Sequence, residues 1–219
     1  MEIAQGLHAI SGPVATCYLI TDGADGLILV DTGLRGGEKN IWAALRKIGR
    51  APGDLRHIII THADGDHYGC LNALTGAGSP KVYASAPEAA AIRAGGSSRP
   101  LKAAGLARLL YRLVAPLFRA LPARVDEILA DGAVFPALGG LRVLATPGHT
   151  PGHISLYAPA RGILIAGDSL TIDGAGKLSG SRGANTWDTA LAEQSYRAQL
   201  ALKPELICAA HSGWKVMPA

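Results

Sequence analysis

One stretch limits this chain more than any other: Thr61-His62-Ala63-Asp64-Gly65-Asp66-His67-Tyr68-Gly69, directly after the apolar run Ile58-Ile59-Ile60. Arg56 to Thr61 reads as a short central strand buried on both faces. The polar cluster therefore begins where a strand ends, in the kind of loop that a rigid sheet positions for function. Two imidazoles and two carboxylates so close together are costly to bury unpaired, so a structural explanation of their density is hard to find.

The same arrangement recurs three times downstream. Thr146-Pro147-Gly148-His149 follows a strand read over Leu141 to Ala145, Ala166-Gly167-Asp168-Ser169 follows one over Gly162 to Ala166, and Ala210-His211-Ser212-Gly213 follows one over Glu205 to Ala209. Further strands are expected over Val14 to Ile20 and Leu27 to Asp31, joined by the turn Asp22-Gly23-Ala24-Asp25-Gly26, and over Ile154 to Ala158. Helices are expected over Glu38 to Ile48, with Ile41, Trp42, Leu45 and Ile48 on one face, and over Trp187 to Leu202. Strands and helices in both halves predict a layered α/β arrangement, two sheets between helices. At 219 residues the chain is long enough for one sizeable core, so a single domain over 1–219 is expected.

A composition of 48% apolar and 17% charged residues excludes a disordered, solvating chain. The start Met-Glu-Ile-Ala-Gln-Gly-Leu-His lacks a basic region followed by an apolar one, and a cytoplasmic location is expected. Cys17, Cys70 and Cys208 form no C-x-x-C pair and read as reduced, structural thiols. The net charge of +4 permits attraction to anionic substrates or surfaces without demonstrating either; a small-molecule substrate and no nucleic acid is the expectation. A basic helical insert is expected at about 86–125. From Ala89 to Val125 there is no acidic residue, while Arg93, Arg99, Lys102, Arg108, Arg112, Arg119 and Arg124 are basic, and Leu106, Leu109, Leu110, Leu113, Leu117, Phe118 and Leu121 recur at helical spacing around Pro116. It would pack on its own domain or on a second copy in a homodimer; a lid over the substrate and a contact with an anionic membrane surface are the alternatives.

Imidazole nitrogen and carboxylate oxygen together suit zinc, iron or manganese. With His149, Asp168 and His211 added in order, the chain resembles the metallo-β-lactamase superfamily, whose pattern is H-x-H-x-D-H, then a lone His, a lone Asp and a final His. Val30-Asp31-Thr32-Gly33 matches that family's early Asp-containing turn, and the resemblance runs from about Val14 to Gly213. It implies an αββα sandwich of two mixed β-sheets flanked by helices, with two divalent metal ions at one edge, zinc first and iron or manganese as the other choices. By position, His62, Asp64 and His149 would hold the first ion, Asp66, His67 and His211 the second, and Asp168 would bridge. Asp31 would brace the metal loop by hydrogen bonds. Gly69, Gly148, Gly152 and Gly167 would allow tight turns and close backbone approach. His153 repeats the Pro-Gly-His unit, but the family pattern uses the earlier histidine, so a hydrogen-bonded structural role is expected. His8 and His57 have no partner motif; Tyr68 and Ser212 could reach substrate, but helix or loop packing explains them equally well.

One residue departs from the commonest form of the pattern, which has histidine where this chain has Asp64. A third carboxylate beside Asp66 and Asp168 makes the ions less electrophilic and favours harder ions such as iron or manganese. A carboxylate there is similar to the superfamily's flavodiiron branch, yet the chain as given ends soon after His211 without that branch's flavodoxin-like domain. The resemblance therefore implies a metal-dependent hydrolase in which a hydroxide held between the ions attacks an ester, lactone, β-lactam or related acyl substrate. Asp66 would also orient the nucleophile or relay a proton. A phosphoester hydrolase, an iron redox enzyme and a non-catalytic metal-binding module are the other readings. The Gly- and Ser-rich loop Asp173 to Asn185 is expected to border the substrate, without naming it. A long C-terminal helical domain of the glutathione-thioester type and an inserted domain of the RNA-processing type are not expected.

Overall fold

In the computed structural model, which describes residues 1–100 and 120–218, period-two burial along the strands explains the layering. Ile58 and Ile60 face one apolar cluster and Ile59 the other; Leu29 parts from Ile28 and Val30 in the same way. A strand with two buried faces needs a layer on each side.

The first sheet runs in chain order: β1 (Glu2–Ala4), β2 (Leu7–Ser11), β3 (Thr16–Ile20), β4 (Leu27–Val30), β5 (Leu55–Ile59), β6 (Lys81–Ala84) and β7 (Glu127–Ile128). Pairing is antiparallel up to β4 and parallel from β4 to β7. The second sheet has the order β15-β14-β11-β10-β9-β8, built from β8 (Val134–Phe135), β9 (Leu141–Ala145), β10 (Ile154–Ala158), β11 (Ile163–Gly167), β14 (Leu206–Ala209) and β15 (Gly213–Val216). Only β11 and β14 pair in parallel there. A separate hairpin joins β12 (Leu170–Ile172) to β13 (Leu178–Gly180).

Three apolar layers separate four structural ones. Outside the first sheet, α1 (Glu38–Lys47), α3 (Leu71–Gly78) and α4 (Ala86–Ala94) pack Ile41, Leu45, Leu71, Leu74 and Ile92 onto Leu19, Leu29, Ile58 and Ile60. Between the sheets lie Leu7, Tyr18, Ile20, Leu141, Val143, Leu156 and Ile165. Outside the second sheet, α5 (Thr189–Ala201) lays Tyr196 and Leu200 on Leu164, Ala166 and Ile207. This is the αββα sandwich that the resemblance implies. The short α2 (Gly65–Tyr68) belongs to the loop after β5.

Direction sets the position of the site. Since β9 and β11 are both antiparallel to β10, and β14 is parallel to β11, the C-terminal ends of β9, β11 and β14 share one edge of their sheet. The ends of β4 and β5 share one edge of the other. The two edges meet where the Ile154 amide donates to the Thr61 carbonyl at 3.0 Å.

Most expected elements lie within two residues of their predicted bounds. The helix expected from Trp187 starts at Thr189 because the Asp188 side chain accepts the Ala190 and Leu191 amides, capping it there. The loop expected over Asp173 to Asn185 contains the strand β13. The expected helical insert is helical over Ala86–Ala94, but that helix belongs to the outer layer, with Glu88, Ala89 and Ile92 buried. Ala123 and Val125 return to the outer core, and the leucines from 106 to 117 lie outside the described residues. Among the described residues no helix is long and apolar enough to cross a membrane.

Candidate metal centre

Each imidazole of the cluster is aimed by what its Nδ1 atom meets. His211 donates from Nδ1 to the Val14 carbonyl at 3.0 Å, and a carbonyl can only accept. His67 donates from Nδ1 to Asp31 Oδ2 at 2.9 Å. Thr61 Oγ1 gives its proton to Asp31 Oδ2 at 2.8 Å and so accepts from His62 Nδ1 at 3.0 Å. His149 Nδ1 is 2.8 Å from Ser181 Oγ. All four Nε2 atoms consequently turn inward, as in centres where outer partners fix the tautomer.

What they meet there is carboxylate oxygen. His62 Nε2 lies 3.5 Å from Asp64 Oδ2 and 3.9 Å from Asp168 Oδ2, and His149 Nε2 lies 3.3 and 3.5 Å from the same two atoms. Across Asp168, His67 Nε2 is 3.5 Å from Oδ1 and 4.0 Å from Asp66 Oδ2. His211 Nε2 is 3.0 Å from Asp168 Oδ2 and 3.5 Å from Asp66 Oδ2. Four ligands about 2.1 Å from one tetrahedral ion stand roughly 3.4 Å apart, so this spacing suits a cation between them. His62 Nε2, His67 Nε2 and Asp168 Oδ1 are buried without a hydrogen-bond partner. Orphaned buried polar atoms are expensive, and a divalent cation satisfies all three. The donor set, all nitrogen and oxygen, fits such an ion.

All seven residues read from the sequence therefore converge, within the groups His62, Asp64 and His149; His62, His67 and Asp168; and Asp66, His67 and His211. Asp31 is where the brace was expected, accepting the Thr61 amide at 2.8 Å as well as the His67 ring. It holds a φ of +59°, in a region few side chains occupy but Asp tolerates. His153 is no member of the cluster. Its Nδ1 meets Thr146 Oγ1 at 2.8 Å and its Nε2 accepts the Asp168 amide at 3.1 Å, which fixes the Asp168 backbone. Tyr68 donates to the Gly96 carbonyl, and Ser212 Oγ accepts the Ile172 amide. Two glycines show why the turns are tight: a Cβ on Gly148 would stand 2.2 Å from the Ala192 nitrogen, and one on Gly167 2.8 Å from His153 Nε2.

Three contributors escape sequence reasoning. Glu88, fully buried on α4, accepts the Ala63 amide on Oε2 at 2.7 Å. Its Oε1 accepts from the Gly152 amide and from Thr150 and Ser98, so one side chain ties together both histidine loops. Ser181 aims His149 from within the loop read only as a border of the substrate. Arg99 lies against Asp64 and His149. None sits at a recognisable spacing; the only hint is that Glu88 immediately precedes the acid-free stretch.

Charge inside the cluster is strongly coupled. Burial works against protonation of His67, but Asp168, Asp31 and Asp66 together outweigh it and push its pKa up to about 10. Burial would raise the Asp168 carboxyl, yet His67, His211, His62 and His149 hold it well below the usual range. Asp64 is likewise held low against its burial, by His149, His62 and Arg99. Burial drives His153 well down, with His62 and His149 adding to the effect, which suits a neutral ring accepting an amide proton.

The model of the metallo-beta-lactamase superfamily matches residues 11–211. The probable metallo-hydrolase YflN of Bacillus subtilis (strain 168) is 28% identical over 227 residues, covering 96% of this chain and 85% of the relative. A hydroxyacylglutathione hydrolase of Rhodobacter capsulatus is 32% identical over 159 residues, 72% of this chain but 48% of the relative, so the chain spans only about half of that protein. The crystal structure of TTHA1623 in a di-iron-bound form superposes with a TM-score of 0.72 at 25% identity, covering 94% of this chain and 92% of that one. Divalent metals serve this superfamily, and the His and Asp clusters described above can hold them. Fold, site and relatives agree: the chain belongs to the metallo-β-lactamase superfamily.

Proposed function

We propose that the chain hydrolyses small acyl substrates, thioesters and esters first, at a centre of two divalent metal ions. His62, Asp64 and His149 would hold one ion and Asp66, His67 and His211 the other, with Asp168 serving both. The convergence of four imidazole Nε2 atoms on three carboxylates, with three buried atoms left unpartnered, carries this reading. Ions held there supply a water that ionises near neutral pH and a Lewis acid for the acyl oxygen.

The chain's own residues do the rest. Asp66, less buried than Asp168, would orient the attacking water or take its proton. Asp31, Thr61 and Ser181 keep the imidazoles facing inward through the reaction. Similarity to a hydroxyacylglutathione hydrolase over 72% of the chain supports thioesters; lactones and β-lactams remain within reach of the same chemistry. Zinc is the metal we assign.

A second reading has two observations behind it: Asp64 adds a third carboxylate, and a neighbour of similar fold holds two irons. Iron-based redox chemistry would then replace hydrolysis. Protein purified without added metal, analysed for metal content and assayed on thioester, ester, lactone, β-lactam and phosphoester substrates, separates the two. Stoichiometric iron with no hydrolysis would overturn the hydrolase reading.

A further inference from the structure

The only guanidinium bound to the cluster among the described residues arrives from outside it. Arg99 places one terminal nitrogen 2.6 Å from Asp64 Oδ2 and the other 2.9 Å from His149 Nε2, and the latter also donates to the Asn185 carbonyl. The side chain is 19% exposed. The segment that delivers it is fastened along its length: Tyr68 donates to the Gly96 carbonyl, Ser97 donates to Asp64 Oδ1 at 2.9 Å, and Ser98 donates to Glu88 at 2.7 Å. Arg99 therefore has little freedom to leave the mouth of the site.

One of its contacts cannot coexist with a metal ion. A guanidinium can only donate, so His149 Nε2 accepts from Arg99, which puts the neutral ring's single lone pair on Nε2 and its Nδ1–H on Ser181. That pair goes either to an Arg99 N–H or to a cation. Asp64 is different: a carboxylate has about four acceptor sites and can serve an ion, Ser97 and Arg99 together. Loading the centre thus turns one N–H of Arg99 away from His149, while its links to Asp64 and Asn185 hold the guanidinium at the mouth of the site.

Charge says what the freed donor takes. Three carboxylates, Asp64, Asp66 and Asp168, together with the nucleophilic hydroxide would balance two divalent ions, so Arg99 leaves the loaded centre with one net positive charge. A mostly buried guanidinium in such a field needs an anion, and its planar fork suits a carboxylate. We propose that Arg99 is the substrate-selecting residue of this centre, and that the preferred acyl substrate carries a carboxylate close to its scissile carbonyl. This rests on the two-metal reading above.

The test uses binding, so it does not depend on turnover. Zinc-loaded protein is titrated by calorimetry with glutarate and with glutaramate, which has the same length but a neutral amide at its far end. One carboxylate of either probe can approach the ions, leaving the other end for Arg99. The wild type is expected to bind glutarate at least tenfold more tightly than glutaramate. Arg99→Met should lose that preference with zinc content unchanged, and Arg99→Lys, which keeps the charge but not the fork, should fall between. Equal discrimination by the wild type and Arg99→Met, or none by the wild type, overturns the assignment. Failure of the two-metal reading looks different, because zinc content would then fall short of two ions per chain in all three proteins.

Discussion

Oε2 of Glu88 accepts the Ala63 amide at 2.7 Å while its Oε1 accepts the Gly152 amide at 2.8 Å, joining loops that the sequence separates by almost ninety residues. No basic side chain compensates this buried carboxylate among its described contacts; four donors do so instead. Glu88→Ala leaves those donors buried without an acceptor, at about 1–3 kcal/mol for each that water cannot reach. Chemical denaturation of metal-free protein should show a loss of about 3 kcal/mol or more, and metal affinity should fall as well. A loss below about 1 kcal/mol would mean that Glu88 does not hold the loops.

Asp31→Asn is a gentler change with a narrower effect. The amide cannot accept from His67 and Thr61 as the carboxylate does, so the His67 ring loses the partner that aims it. Disturbing such an outer partner typically costs roughly 10–100-fold in metal affinity. Competition with a chromophoric chelator should find that loss in the more weakly bound ion or both, with secondary structure by circular dichroism unchanged. Unaltered affinity would remove Asp31 from the account.

Proton release provides an independent check. With its pKa at about 10, His67 is protonated at neutral pH in metal-free protein, and a ligand must shed that proton. Metal uptake at pH 7 should release about one proton from His67, and apparent affinity should rise roughly tenfold per pH unit from this source up to about pH 10. Calorimetry in buffers of different ionisation enthalpy measures the count. The sign for metal-free stability is the reverse. A pKa raised above the ordinary 6.5 gives stability that is complete below that value and disappears as pH rises through about 10.

Much of this was legible because the burden on each element is local. Ile58 to Ile60 and Ile163 to Ala166 bury both faces, so an unbroken apolar run announces the strand and the polar residue after it announces the site. Short strands such as β7, β8 and β13 carry no such signal, since neighbours rather than their own pattern hold them in place. The outer partners were hidden for a related reason. Glu88 meets Ala63, Arg99 meets His149 and Ser181 meets His149 only after the sheets have closed, and no spacing along the chain encodes those meetings. Asp31 was found through a family pattern rather than through its own surroundings.

Metal stoichiometry of wild-type protein and Asp168→Ala, measured beside thioester and ester turnover, tests the central claim most directly. Asp168 Oδ1 faces His67 and Oδ2 faces His62, His149 and His211, so its loss touches both ion positions. The wild type should hold two divalent ions per chain and hydrolyse at least one substrate in a chelator-sensitive reaction. Asp168→Ala should drop to one ion or fewer, with turnover reduced at least a hundredfold. Full activity in Asp168→Ala, or wild-type turnover that survives complete removal of metal, would contradict a two-metal hydrolase.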